Sequence, residues 1–239
     1  DNKQKRSDDT FNLNPFDIEN DDLLALNFNL KNSLFFNRGK QRYSTTYNFI
    51  NSRNKTSFAI DNPESKLKLH QLQFAHKFGD FWLFDFKTST STNKNSSQNY
   101  VSRNYDLENK LINPKISYIY SQNRVFDVFY EYKTKENTIG NLESLTSQKM
   151  GASYKTANQK GTSISTEFNF FINDYVGNQN SPVAYQMLEG LQPGNNFTWS
   201  LLWQQKLTTY LDLNINYLGR KSETSKTVHT GTVQLRAHF

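Results

Sequence analysis

Phe126-Asp127-Val128-Phe129-Tyr130-Glu131-Tyr132-Lys133 is the stretch that decides the fold. Phe126, Val128, Tyr130 and Tyr132 share one parity, while Asp127, Glu131 and Lys133 share the other. Successive side chains of a strand point to opposite faces, so this segment reads as a strand with one greasy face and one charged face. Just upstream, Ile116, Tyr118 and Tyr120 alternate in the same way, and Gln122-Asn123 lies between the two runs as a tight turn.

The pattern spreads in both directions. Leu26, Phe28 and Leu30, then Tyr43, Thr45, Tyr47 and Phe49, alternate near the start. Leu72, Phe74, His76 and Phe78 lead through Gly79-Asp80 to Trp82, Phe84 and Phe86, opposite Asp85 and Lys87. Further on come Met150, Ala152 and Tyr154; Ile164, Phe168, Phe170 and Ile172; Phe197, Trp199, Leu201 and Trp203; and Leu211, Leu213, Ile215 and Tyr217. This gives about eleven strands of roughly 10–14 residues, long enough to cross a bilayer when tilted. Short turns are expected near residues 38, 79, 122, 158 and 206, and long polar loops at 51–65, 93–104, 136–143, 173–195 and 220–227. The best helix candidate is Ala184–Glu189, inside one of those loops. Short and long connections alternate, as the periplasmic turns and outer loops of outer-membrane barrels do. A soluble sandwich has no reason to keep that alternation.

Composition points the same way. Only 35% of the 239 residues are apolar, yet 15% are aromatic, with 19 Phe and 13 Tyr beside 30 Asn. Mean hydropathy is −0.79. Such a chain suits a sheet with one face to lipid and one to water rather than a packed aliphatic core. The longest aromatic burst is Phe81-Trp82-Leu83-Phe84, far short of a membrane helix. No cysteine is present, which removes disulfide frameworks, thiolate metal sites and cysteine nucleophiles. The net charge of +6 is spread along the chain, and the aromatics alternate with neutral polar residues more than with Lys or Arg. A nucleic-acid partner is therefore not expected.

The fold class expected is all-β, an antiparallel transmembrane β-barrel of about 10–12 strands over residues 22–239, with residues 1–21 a polar tail or loop broken by Pro15. Single-chain bacterial barrels have even strand numbers with both ends periplasmic. Eleven strands put the first on the long-loop side, so either the count is off by one or an upstream part precedes residue 1; the reading favours the C-terminal part of a larger barrel.

The terminal run Val228–Phe239 ends with Val233, Leu235, Ala237 and Phe239 on one parity and an aromatic last residue. It resembles the signal by which the bacterial barrel-assembly machinery recognises its substrates. Three further stretches, Phe35-Phe36-Asn37-Arg38-Gly39, Met187 through Trp199, and Gly219 through Gly231, resemble the C-terminal regions of large outer-membrane proteins of Bacteroidota. The likeness covers the second half of the chain well and the first half loosely. It implies an outer-membrane location in a Gram-negative bacterium, and membership of a multi-protein assembly for secretion, uptake or barrel assembly. It implies no catalytic mechanism.

His70, His76, His229 and His238 show no metal-ligand spacing and no carboxylate cluster beside them. No Gly-rich phosphate loop and no nucleophile elbow occur, so no enzyme activity, metal or cofactor is expected; a barrel-embedded hydrolase is the least favoured alternative and a porin-like channel the main one. Two groups of candidate residues remain. Glu131, Lys149 and Glu167 each lie about eight residues from a short turn and are expected to form an acid–base–acid ladder lining the lumen. Phe36, Phe78, Trp82, Tyr120, Tyr154, Trp203, Tyr210 and Phe239 lie near short turns or the terminus and are expected to form a girdle at the membrane interface. The partners expected are outer-membrane lipid, the assembly machinery through Val228–Phe239, and other outer-membrane or surface proteins.

Overall fold

Alternating stretches such as these satisfy their backbone only by pairing with neighbours, and in the computed structural model they do so in simple sequence order. The structure describes residues 2–5, 23–39, 42–57, 61–121, 123–140, 142–158 and 161–237. Its strands are β1 (Asn2–Lys5), β2 (Leu23–Phe36), β3 (Tyr43–Thr56), β4 (Glu64–Phe78), β5 (Trp82–Ser96), β6 (Tyr105–Ser121), β7 (Arg124–Asn137), β8 (Ser144–Ala157), β9 (Thr162–Val176), β10 (Gly194–Thr208), β11 (Leu211–Ser222) and β12 (Val228–Ala237). One helix, α1 (Pro182–Leu188), lies between β9 and β10. All twelve strands form one sheet, each pairing antiparallel with its neighbours in the chain.

The register keeps the two faces apart across the sheet. Phe84, Ile116, Val128, Ala152, Phe168 and Trp199 pair in one continuous row. The adjacent row runs Ser117, Asp127, Ser153, Glu167 and Ser200. The apolar row faces outward: Ile116, Val128 and Phe168 are about half exposed. The polar row faces inward, where Ser117, Asp127 and Ser153 are buried. Seven of the buried apolar residues, Leu107, Leu145, Tyr175, Val183, Ala184, Met187 and Leu188, form one cluster around α1. The core of this sheet is therefore local, and its exterior carries most of the large apolar side chains.

Two glycines let rings lie flat on the sheet. A Cβ on Gly219 would sit 2.0 Å from the Trp199 indole, on the outer face. A Cβ on Gly151 would sit 2.4 Å from the Phe129 ring, on the inner face. In each case the missing side chain makes room for an aromatic from the neighbouring strand.

The connections differ from the sequence expectation in three ways. The last short turn is at Thr209-Tyr210, not near Lys206, because β10 stays extended through Gln204, Gln205 and Lys206 and pairs Lys206 with Asp212 before a bulge. The long loops shrink to 57–63, 97–104, 138–143, 177–193 and 223–227. Polar runs such as Asn51–Thr56 pair as strand all the same. A 15-residue strand spans about 50 Å, while the apolar band of a barrel is only about 25 Å tall, so strand ends project past it and need no greasy face there. Finally, the polar tail contributes β1, four residues paired with β2. Gln122, Gln159, Lys160, His238 and Phe239 lie outside the described residues.

Candidate functional site

The built feature of the inner face is the seat of α1. Ser181 is extended and its hydroxyl accepts a hydrogen bond from the Ala184 amide at 3.0 Å, with Pro182 opening the helix. These are ordinary helix-start chemistries. The helix stops at Glu189, which takes the left-handed conformation, φ 56°. One face of α1 presents Val183, Ala184, Met187 and Leu188, and these pack on Leu107 of β6, Leu145 of β8 and Tyr175 of β9. Met187 is 1% exposed.

Ions close the other end. The buried Lys135 ammonium donates to the Met187 carbonyl at 2.8 Å and to Glu189 Oε1 at 2.7 Å. Lys133 donates to the same carboxylate oxygen at 3.1 Å and also meets Glu131 at 3.2 Å. Lys135 thus satisfies a helix-terminal carbonyl, one of those a helix leaves without an internal partner, while both lysines hold the Glu189 carboxylate. The Glu189 carboxyl feels opposing influences. Burial pushes it up, but the hydrogen bond and charge of Lys135, and then Lys133, outweigh this and hold it below its ordinary value.

Asparagines fix the return of the loop. Asn196 is fully buried, donates to the carbonyls of Gln192 (2.7 Å) and Gly194 (3.0 Å), and accepts from the Ser222 hydroxyl at 2.5 Å. Asn173 donates to the Gln192 carbonyl at 3.2 Å and accepts from Ser147 at 2.7 Å. The far side of the same rim carries a second clamp. Asp61 accepts from the Ser97 hydroxyl at 2.8 Å and from the amides of Gln98 and Asn99.

The expected ladder is half formed. Lys149 Nζ lies 3.7 Å from Glu167 Oε1. Glu131 is the register partner of Lys149, but its carboxylate pairs with Lys133 instead. The reason is local: Lys149 lies between two inward rings, 4.9 Å from the Phe129 centroid and 5.4 Å from that of Phe171, a cation–π site that draws it from Glu131. The ion chain that does form, Glu131–Lys133–Glu189–Lys135, includes two residues the sequence reading missed. Lys135 has the inward parity of Lys133 and Glu131, which was the available signal; nothing in the spacing linked it to Glu189. Deeper on the inner face, Asp127 accepts from the Ser117 hydroxyl at 2.5 Å and from Ser153 at 3.0 Å, and Asp85 accepts from Gln73 at 2.6 Å.

The girdle residues stand on the outer face beside the short turns. Phe78, Trp82, Tyr120, Tyr154, Trp203 and Tyr210 are between 37% and 68% exposed, and Phe36 is 61% exposed. Phe78 pairs with Trp82 across the β4–β5 turn, and Trp82 meets Tyr118 at 4.9 Å. Phe239 falls outside the described residues. His70, His76 and His229 also face outward; His70 and His229 each share Nδ1 with a tyrosine hydroxyl, of Tyr47 at 2.8 Å and Tyr217 at 2.7 Å.

An antiparallel up-and-down sheet with exposed rings, an inner face of bonded polar groups and loops of alternating length is the wall of a transmembrane β-barrel. No protein-family model matches the chain, and no curated protein matches it. Among solved structures, the translocator domain of the autotransporter NalP from Neisseria meningitidis is similar at 11% sequence identity, over 88% of this chain and 80% of that one, with a TM-score of 0.43.

Proposed function

We propose that this chain is an outer-membrane β-barrel protein of a Gram-negative bacterium of the Bacteroidota type, acting as a structural or scaffold subunit of a multi-protein complex for secretion, uptake or assembly. A sheet with lipid-facing rings needs a bilayer that accepts β-structure, and the outer membrane is that setting. The observation that carries the scaffold reading is the seat of α1. A helix packed through Met187 and Ala184 and held by Lys135 fills space that a diffusion channel would leave to water. The reading assigns the chain no catalytic step. It also makes Val228–Phe239 the segment that the barrel-assembly machinery binds; β12 is exposed at all ten of its residues.

The test is conductance of the full-length protein in planar bilayers. The scaffold reading expects currents near background, rising to discrete channel steps when the α1 loop is replaced by a short Gly-Ser linker. Steady, large conductance in the unaltered protein would replace it with a porin-like channel.

A further inference from the structure

The outer face is not uniformly charged above its apolar band. On the long-loop side, β3 to β6 carry Arg53, Lys55, Lys66, Lys68, Lys94 and Lys110, against Glu64, Asp106 and Glu108. The same level of β7 to β9 carries Glu136 and Asp174 and no Lys or Arg. Several of the basic residues are committed: Arg53 and Lys66 meet Glu64, and Lys94 meets Asp106 at 3.3 Å. Lys68 and Lys110 have no carboxylate within 4.0 Å among the described residues.

These two lysines flank a cleft of about 250 Å³. Its floor is set by register: Lys68 pairs with Thr92 and Thr92 with Glu108, while His70 pairs with Thr90 and Thr90 with Lys110. Two small hydroxyl side chains on β5 thus leave a trough between two cations on strands about 10 Å apart. The next row down is Leu72, Thr88 and Ile112, and below it Phe74 and Phe86. The cleft therefore sits at the first polar row above the greasy band, the level of lipid headgroups. Glu108 at its edge offsets one of the two charges. Tyr47 holds His70 through Nδ1 at 2.8 Å.

We propose that this cleft binds the phosphate group of an outer-leaflet lipid, with Lys68 and Lys110 as the cationic arms and Thr90 and Thr92 as hydroxyl donors. The proposal rests on the membrane reading above and adds a headgroup class to it. Anionic headgroups attract basic side chains at this depth, whereas a zwitterionic surface does not. The band below the cleft supplies the place for acyl chains, which a free phosphate ion cannot use.

The experiment is native mass spectrometry of the full-length protein taken from vesicles of phosphatidylcholine alone, or with one-fifth lipid A. The unaltered protein is expected to retain lipid A over phosphatidylcholine, and the double variant Lys68→Gln/Lys110→Gln to lose at least tenfold of that retention. A control pair on the inner face, Lys115→Gln/Lys155→Gln, is expected to retain it fully. Undiminished retention in the outer-face variant overturns the proposal. So does displacement of the lipid by equimolar inorganic phosphate, which assigns the cleft to a free anion. Failure of the membrane reading shows differently: the unaltered protein is then stripped from vesicles by alkaline carbonate, before any lipid is counted.

Discussion

Asp127 and Val128 are neighbours in the chain and opposites in environment. Val128 is 50% exposed and carries no polar atom; Asp127 is 8% exposed and accepts hydrogen bonds from two serines. In a water-soluble sheet those exposures would be exchanged. The difference extends along whole rows, Ile116–Val128–Ala152–Phe168 outside and Ser117–Asp127–Ser153–Glu167 inside. It teaches that the sheet is organised around two solvents. The exposed apolar outer face suits hydrocarbon, and most buried polar groups of the inner face are hydrogen-bonded, as the cost of withdrawing them from water favours; the amide oxygens of Asn109, Asn169 and Asn214 are the exceptions among the described residues.

The comparison breaks most severely if a charge is put on the wrong face. Val128→Arg is expected to cost about 2–4 kcal/mol of folding stability in a bilayer, read by urea titration of the vesicle-inserted protein; Ser153→Arg, on the inner face of the next strand, should cost less. Met187→Ala empties the cluster under α1. It should destabilise the seat of the helix by about 2–5 kcal/mol, seen as faster hydrogen exchange across 177–193 with strand amides unchanged.

Acid should sharpen the same seat. The Glu189 carboxyl titrates below its ordinary value when docked, so its contribution is complete above the ordinary glutamate pKa, about 4.3, and is lost as pH falls through the lower docked value. Protease cleavage of the α1 loop should rise as pH drops through that window and lose this dependence in Glu189→Gln. Flat cleavage in the unaltered protein would remove the carboxylate from the account. Ser181→Ala, which deletes the helix cap, should weaken α1 by about 1 kcal/mol. The smallest effect belongs to Glu167→Gln. Its ion pair with Lys149 is long and open to water, so its loss should stay under about 1 kcal/mol by urea titration.

The sheet was legible because alternation is a property of neighbours in the chain. Phe126 through Lys133 specify both faces of β7 with no knowledge of β6 or β8, and Gly79-Asp80 and Gln122-Asn123 mark turns on their own. What escaped depends on partners distant in sequence. Asn51–Thr56 has no greasy face because it runs beyond the apolar band, so only its pairing with β2 and β4 reveals a strand. The β10–β11 turn was misplaced because Gln204–Lys206 is polar yet paired. The helix was visible as Ala184–Glu189, though it starts two residues earlier and stops at Leu188, but its seat is made by Leu107, Leu145 and Lys135, residues from three strands. The ladder failed at Glu131 because inward phenylalanines, against the prevailing parity of the rings, captured Lys149.

All three tryptophans, Trp82, Trp199 and Trp203, lie on the outer face. Fluorescence of the protein in vesicles of lipids brominated along the acyl chain therefore reports directly on what that face touches. Strong quenching by the brominated chains, with little quenching by aqueous iodide, is the expected result. Emission indifferent to bromine but quenched by iodide would mean that the rings meet water, and the two-solvent account would be wrong.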